Sequence, residues 1–177
     1  MIINPNFFNC KSKDDYRLSG ANNAEFVGGK ISYTGFRDTA YFALTMSNLQ
    51  DGKTYTLSLD FQTTASGAQV RLFDYGNMEK LIRGQVFDIG KKGKIEWSFL
   101  YKSNYQIYLY GDKDYKTNGA TTSLKNIKIE EGDKATTYLP NENSLSADKQ
   151  AILTKGGYLQ RFIQSSKYLA NKGVSLC

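Results

Sequence analysis

The stretch Ser123 to Pro140, SLKNIKIEEGDKATTYLP, reads as the closing strand of a β-sandwich followed by an exit loop. Leu124, Ile127 and Ile129 are apolar with polar residues between them, the mark of a strand with one buried face. Glu130 to Lys134 is a charged turn around Gly132, and Pro140 has no backbone N–H to donate to a ladder. The segment therefore predicts a boundary, with a sandwich domain over residues 1–140 and a different kind of chain over 141–177.

Upstream of that boundary, Ala24 to Glu130 consists of short β-branched and aromatic runs separated by Gly, Asn, Asp and Lys turns, without a long helical period. Strands are predicted at Ala24–Val27, Lys30–Thr34, Ala40–Met46, Thr54–Thr63, Gln69–Tyr75, Leu81–Phe87, Lys94–Tyr101, Tyr105–Tyr110 and Leu124–Glu130. So many short strands at such spacing give an all-β fold, a β-sandwich, rather than a small open sheet. Downstream, Asn141 to Asn143 is a polar linker and Ser146 can cap a short helix that Gly156 and Gly157 interrupt. Leu159, Phe162 and Ile163 then recur at helical spacing. A short α-helical C-terminal extension cannot bury that stripe alone, so these three residues are the expected partner contact, against the sandwich, a second copy in a homo-oligomer, or a larger assembly.

At 177 residues the chain can bury an ordinary core without staples, and Cys10 and Cys177 have no framework spacing, so both are read as free thiols. Histidine is absent, which removes the commonest general base and the commonest transition-metal ligand. No phosphate-binding glycine loop, G-x-S-x-G elbow, CxxC pair or HExxH is present. The opening MIINPNFFNCKSK lacks a basic segment ahead of a long apolar run, so no signal peptide is expected, and no apolar window is long enough for membrane insertion. The net charge of +6, from 23 basic and 17 acidic residues, favours anionic partners of any kind, including nucleic acid and phosphate-bearing cell-wall polymers, and chooses none of them.

Strand alternation sorts the middle of the chain into faces. Tyr55, Leu57, Leu59 and Phe61 point one way, leaving Asp60 and Gln62 on the other; Val70 and Leu72 oppose Arg71, Phe73 and Tyr75; Tyr105, Ile107 and Leu109 oppose Gln106, Tyr108 and Tyr110. If these strands are neighbours, Asp60, Gln62, Arg71, Phe73, Tyr75, Gln106, Tyr108 and Tyr110 form one saccharide-binding surface. Pyranose C–H faces lie on aromatic rings, and sugar hydroxyls pair with planar amide, carboxylate and guanidinium groups. The alternative is that the outward rings fill a second small core. Trp97 alternates with Ile95 and Phe99 and belongs inside, while Phe36, Arg37, Asp38 and Tyr41 lie in or beside a loop, as rim contacts or as packing.

Glycoside cleavage needs two carboxylates across one bond; Asp60 has no evident mate, although Asp74, Asp112 and Asp114 sit in or beside loops. Nucleic-acid binding would use the tyrosines as stacking platforms, but Lys91, Lys92 and Lys94 cluster in a hairpin away from the aromatic strands, so no nucleic acid is expected.

The order of motifs also carries a resemblance. NPNFFN at the start, then DGKTYTLSLDFQT, VRLFDYG, YQIYLYG, and finally N-x-K-x-E, E-G-x-K-A-T and aromatic-x-P, resemble the carbohydrate-binding jelly-roll modules of tail and baseplate proteins from phages of Gram-positive bacteria. The resemblance covers Asn4 to Pro140 and departs near its start, where Tyr16 or Tyr33 stands in place of a tryptophan. It implies a jelly roll, and a non-catalytic virion module that binds host cell-wall polysaccharide during adsorption, beside other tail or baseplate proteins. A structural adaptor without ligand is its alternative. No cofactor is implied beyond a structural calcium, for which Asp14, Asp15 and Glu25 are the available oxygen donors.

Overall fold

Along Thr54–Thr63 the apolar residues fall at every second position, and the strand they form buries Tyr55, Leu57, Leu59 and Phe61 while Asp60 and Gln62 stay on its wetter side. The strands Ala68–Asp74, Lys92–Leu100 and Tyr105–Tyr110 likewise bury Val70 and Leu72, Ile95, Trp97 and Phe99, and Ile107 and Leu109, respectively. The structure is a computed structural model that describes residues 6–8, 16–27, 30–46, 48–78, 80–87, 92–114 and 116–138. Its strands are β1 (Tyr16–Ser19), β2 (Ala21–Val27), β3 (Lys30–Gly35), β4 (Tyr41–Thr45), β5 (Thr54–Thr63), β6 (Ala68–Asp74), β7 (Lys80–Phe87), β8 (Lys92–Leu100), β9 (Tyr105–Tyr110) and β10 (Thr121–Glu131). They form two five-stranded sheets, β1-β4-β9-β6-β7 (sheet A) and β2-β3-β10-β5-β8 (sheet B), in which every pairing is antiparallel. Among the described residues no helix is long and apolar enough to cross a membrane.

The inner faces meet in one core. Sheet A contributes Phe42, Leu44, Val70, Leu72, Ile107 and Leu109, and sheet B contributes Ile31, Tyr55, Leu57, Ile95, Trp97, Leu124 and Ile129. The all-β sandwich, the nine predicted strands and the inward Trp97 are found as expected. β1 is a strand the sequence reading did not predict. Residues 141–177, with Leu159, Phe162 and Ile163, lie outside the described residues, as do Cys10, Cys177, Asp14, Asp15 and Pro140.

The closing strand does more than end the sandwich. Between Lys125 and Lys128 its register against β5 shifts, and Asn126 takes a left-handed conformation with φ 54°. This bulge is why Leu124 and Ile127 both reach the core although three residues apart. It also turns Lys128 and Glu130 to the outer face of sheet B, where residues 132–138 fold back over them. Lys128 Nζ donates to Glu130 Oε2 (3.0 Å), Thr136 Oγ1 (2.6 Å) and the Thr137 carbonyl (2.9 Å), and Glu130 Oε1 accepts from the Thr136 N–H (2.7 Å). Further hydrogen bonds tie the loop to β5 and β8: Thr56 Oγ1 to the Gly132 carbonyl, Ser98 Oγ to the Asp133 carbonyl, and the Ala135 N–H to Glu96 Oε1. At the other end of the chain, Asn6 Nδ2 donates to the Ile127 carbonyl and Asn6 Oδ1 accepts from the Ile129 N–H.

Candidate functional site

The eight residues proposed to share one face occupy two. Arg71, Phe73, Gln106, Tyr108 and Tyr110 lie on the outer face of sheet A, with Tyr75 just beyond the end of β6. Asp60 and Gln62 lie on the outer face of sheet B, because β5 pairs with β10 and β8 and not with β6 or β9. Alternation assigned each residue its side correctly but carried no information about which strands are neighbours.

On sheet A, cross-strand register sets Arg17, Ala43, Tyr108 and Arg71 side by side on four adjacent strands, with Tyr41, Tyr110 and Gln69 in the next row. The rings pack closely: Tyr41 stacks on Tyr108 at 4.4 Å, and Phe73 lies 4.7 Å from Tyr108. Tyr108 and Tyr110 are only 2% and 6% exposed, so they form the floor of the cluster, while Tyr41 and Phe73 are half-buried and Tyr75 is 44% exposed. Arg17 lies among the rings, its Cζ 4.9 Å from the Tyr75 centroid and 5.4 Å from that of Tyr108, and it donates to both phenolic oxygens. Arg71 lies 6.0 Å from the Tyr110 ring.

Three buried polar atoms on this face have no hydrogen-bond partner among the described residues: Arg17 Nε, Gln69 Oε1 and Gln106 Oε1. Gln69 shares the row of Tyr110, and Gln106 lies opposite Phe73. Such atoms are rare in folded proteins because each forfeits the hydrogen bonds it would make to water. Sequence reasoning missed Arg17 and Gln69, and left Tyr41 between a rim contact and packing. The alternation of Tyr16 and Leu18 against Arg17 and Ser19 was the available signal for the first, but four residues make a weak strand signature. Phe36 stays at the surface, 45% exposed, with Arg37 against its ring at 5.3 Å.

On sheet B, Asp60 lies between Lys94 of β8 and Lys125 of β10, and Lys125 lies opposite Lys30 of β3. The next row sets Lys92, Gln62, Ser123 and Ser32 in line. Together Lys30, Asp60, Gln62, Lys92, Lys94, Ser123 and Lys125 border an open groove of about 550 Å³. Asn126, in its left-handed bulge, donates to Asp60 Oδ2 at 2.6 Å and fixes the carboxylate.

Of the other carboxylates considered for glycoside cleavage, two are engaged in turns and the third, Asp114, is exposed. Asp74 accepts from the Gly76 N–H, and Asp112 from the Asp114 N–H. Asp60 is the one acid among the described residues lining the groove, so no carboxylate pair brackets it there. Glu25 is exposed on β2, and no group of three metal-ligating side chains occurs among the described residues.

Solved structures with the same fold include carbohydrate-binding modules. A CBM4 module matches with a TM-score of 0.54 at 10% identity, covering 69% of this chain and 98% of that one. The N-terminal cellulose-binding domain of Cellulomonas fimi β-1,4-glucanase C matches with a TM-score of 0.51 at 10% identity, over 70% of this chain and 93% of that one. A CBM22 xylan-binding domain from Paenibacillus barcinonensis matches with a TM-score of 0.51 at 11% identity, over 77% and 99%. The chain thus has their jelly-roll fold. No protein-family model matches the sequence, and no curated protein matches it.

Proposed function

We propose that this chain is a non-catalytic carbohydrate-binding module whose saccharide lies on the outer face of sheet A. The observation that carries the reading is the coincidence, on one face, of a stacked aromatic cluster with three unpartnered buried polar atoms. A sugar ring on Tyr75 and Phe73 would cover apolar surface while its hydroxyls pair with Gln106, Gln69 and the two arginines. The jelly-roll fold shared with cellulose- and xylan-binding domains supports a polysaccharide over a small ligand. The resemblance of the closing motif supports the finer reading, a phage tail or baseplate module that holds host cell-wall polysaccharide during adsorption. Weak sites would then gain strength from many copies on one particle.

The burial of Tyr108 and Tyr110 favours a second reading, in which the cluster is a second core that stiffens sheet A and the domain is a structural adaptor. Affinity electrophoresis in gels containing hydroxyethyl cellulose, xylan or purified bacterial wall polysaccharide separates the two. Tyr75→Ala removes an exposed ring without opening the core, and is expected to weaken retention about three- to tenfold, the range for one stacking contact. Gln106→Leu should weaken it further. Retention of neither the wild type nor the variants by any of these polymers, with unchanged folding, would leave the adaptor.

A further inference from the structure

We infer that the groove on the outer face of sheet B is a second binding site, for an acidic polysaccharide, meaning a polymer whose sugar or polyol units bear phosphate or carboxylate groups. It is separate from the aromatic face and lies on the opposite sheet.

The argument begins with charge. Four exposed lysines, Lys30, Lys92, Lys94 and Lys125, and one aspartate line the groove, a local excess of three positive charges in a chain whose net charge is +6. Register makes the crowding unavoidable. Lys125 lies directly opposite Lys30, and like charges facing each other across a strand pair destabilise the sheet. A polyanion laid across the strands reverses the sign of that interaction. Adjacent strands are about 4.8 Å apart, so the row Lys94, Asp60, Lys125 and Lys30 spans roughly 14 Å, long enough for several units of a chain.

The exit loop hydrogen-bonds over the rows of Thr56, Ser98, Glu96, Lys128 and Glu130, whereas the rows of Asp60 and Gln62 remain accessible. Among its lining residues Asp60, Gln62 and Ser123 supply hydroxyl partners between the cations, and Asn126 holds the Asp60 carboxylate in place. Hydroxyls interspersed with anions are what an acidic glycan presents. A nucleic acid fits less well, because the aromatic ring among the described lining residues, Phe61, is 2% exposed and faces the core, so those residues offer bases no platform to stack on.

The test uses the full chain in affinity electrophoresis against polygalacturonate, poly(glycerol phosphate) and poly(dT), with salt varied. The wild type should be retained by at least one of the first two, more strongly than by poly(dT), and the retention should fall steeply with salt. Which of the two retains it identifies carboxylate or phosphate as the anion. Lys94→Gln combined with Lys125→Gln should weaken retention about tenfold and flatten the salt dependence, whereas Tyr75→Ala should leave it unchanged. The exchange removes the repulsion between Lys125 and Lys30 together with the attraction of Lys94 and Lys125 to Asp60. All of these involve exposed lysines and are weak, so the double variant should melt close to the wild type, which separates lost binding from lost folding. No retention by either acidic polysaccharide, equal retention of the double variant, or preference for poly(dT) would each overturn the proposal. Loss of cellulose or xylan binding in Tyr75→Ala bears on the aromatic face alone.

Discussion

Lys128 and Glu130 carry opposite charges with side chains wholly removed from water. Burial pulls the Lys128 ammonium below its ordinary range, while the Glu130 carboxylate beside it works in the opposite direction. What makes the pair tolerable is full satisfaction: three acceptors surround the ammonium, and the carboxylate takes the Thr136 N–H. The pair fixes the path of the exit loop and explains in physical terms the N-x-K-x-E and E-G-x-K-A-T pattern of the closing segment. Lys128→Ala, which strands a buried carboxylate, should destabilise by about 3–5 kcal/mol in urea unfolding. The double exchange Lys128→Met with Glu130→Leu should cost clearly less, since it leaves no unpaired charge. Equal losses in the two variants would show that the loop, and not the charge pairing, carries the stability.

At the scale of the element, β10 owes its two-faced character to the Asn126 bulge. A left-handed backbone at φ 54° suits Asn or Gly and opposes a β-branched side chain. Asn126→Gly should therefore cost about 1 kcal/mol or less, through loss of the Asp60 hydrogen bond, while Asn126→Val should add roughly 1–2 kcal/mol of backbone strain to that loss. Thermal melting of both variants checks the order, and a Val variant as stable as the Gly variant would remove the strain argument. The bulge was partly legible in the sequence, because Leu124 and Ile127 are three apart and a regular strand cannot bury both. The covering of Lys128 and Glu130 was not, because a strand's outer face reads as solvent unless the loop that folds over it is known.

For the whole molecule, the titration of buried phenols sets the alkaline limit. Burial raises Tyr33 well above its ordinary value, and burial with the nearby charges of Asp51 and Tyr55 raises Tyr101. A group held protonated in the folded state contributes its full stability below the unfolded value, near pH 10 for tyrosine, and loses it as pH climbs toward the raised folded value. Lys128, whose folded value is lowered, has the opposite sign and gains as pH rises toward about 10.5, but one lysine stands against two tyrosines. The melting temperature should thus fall between about pH 10 and 11.5, and Tyr33→Phe should shallow that fall even where it lowers stability at pH 7. An unchanged slope in Tyr33→Phe would refute the assignment. The sequence by itself determined the all-β class, nine of the ten described strands, and the inward residues of the middle strands β5, β6, β8 and β9, because alternation is a local property of an extended backbone. Only the tertiary structure decided that Asp60 and Gln62 belong with lysines on one sheet while Tyr108 and Tyr110 belong with Arg17 and Tyr41 on the other. Strand neighbours are chosen by pairing between segments far apart in the chain, and no local pattern records that choice.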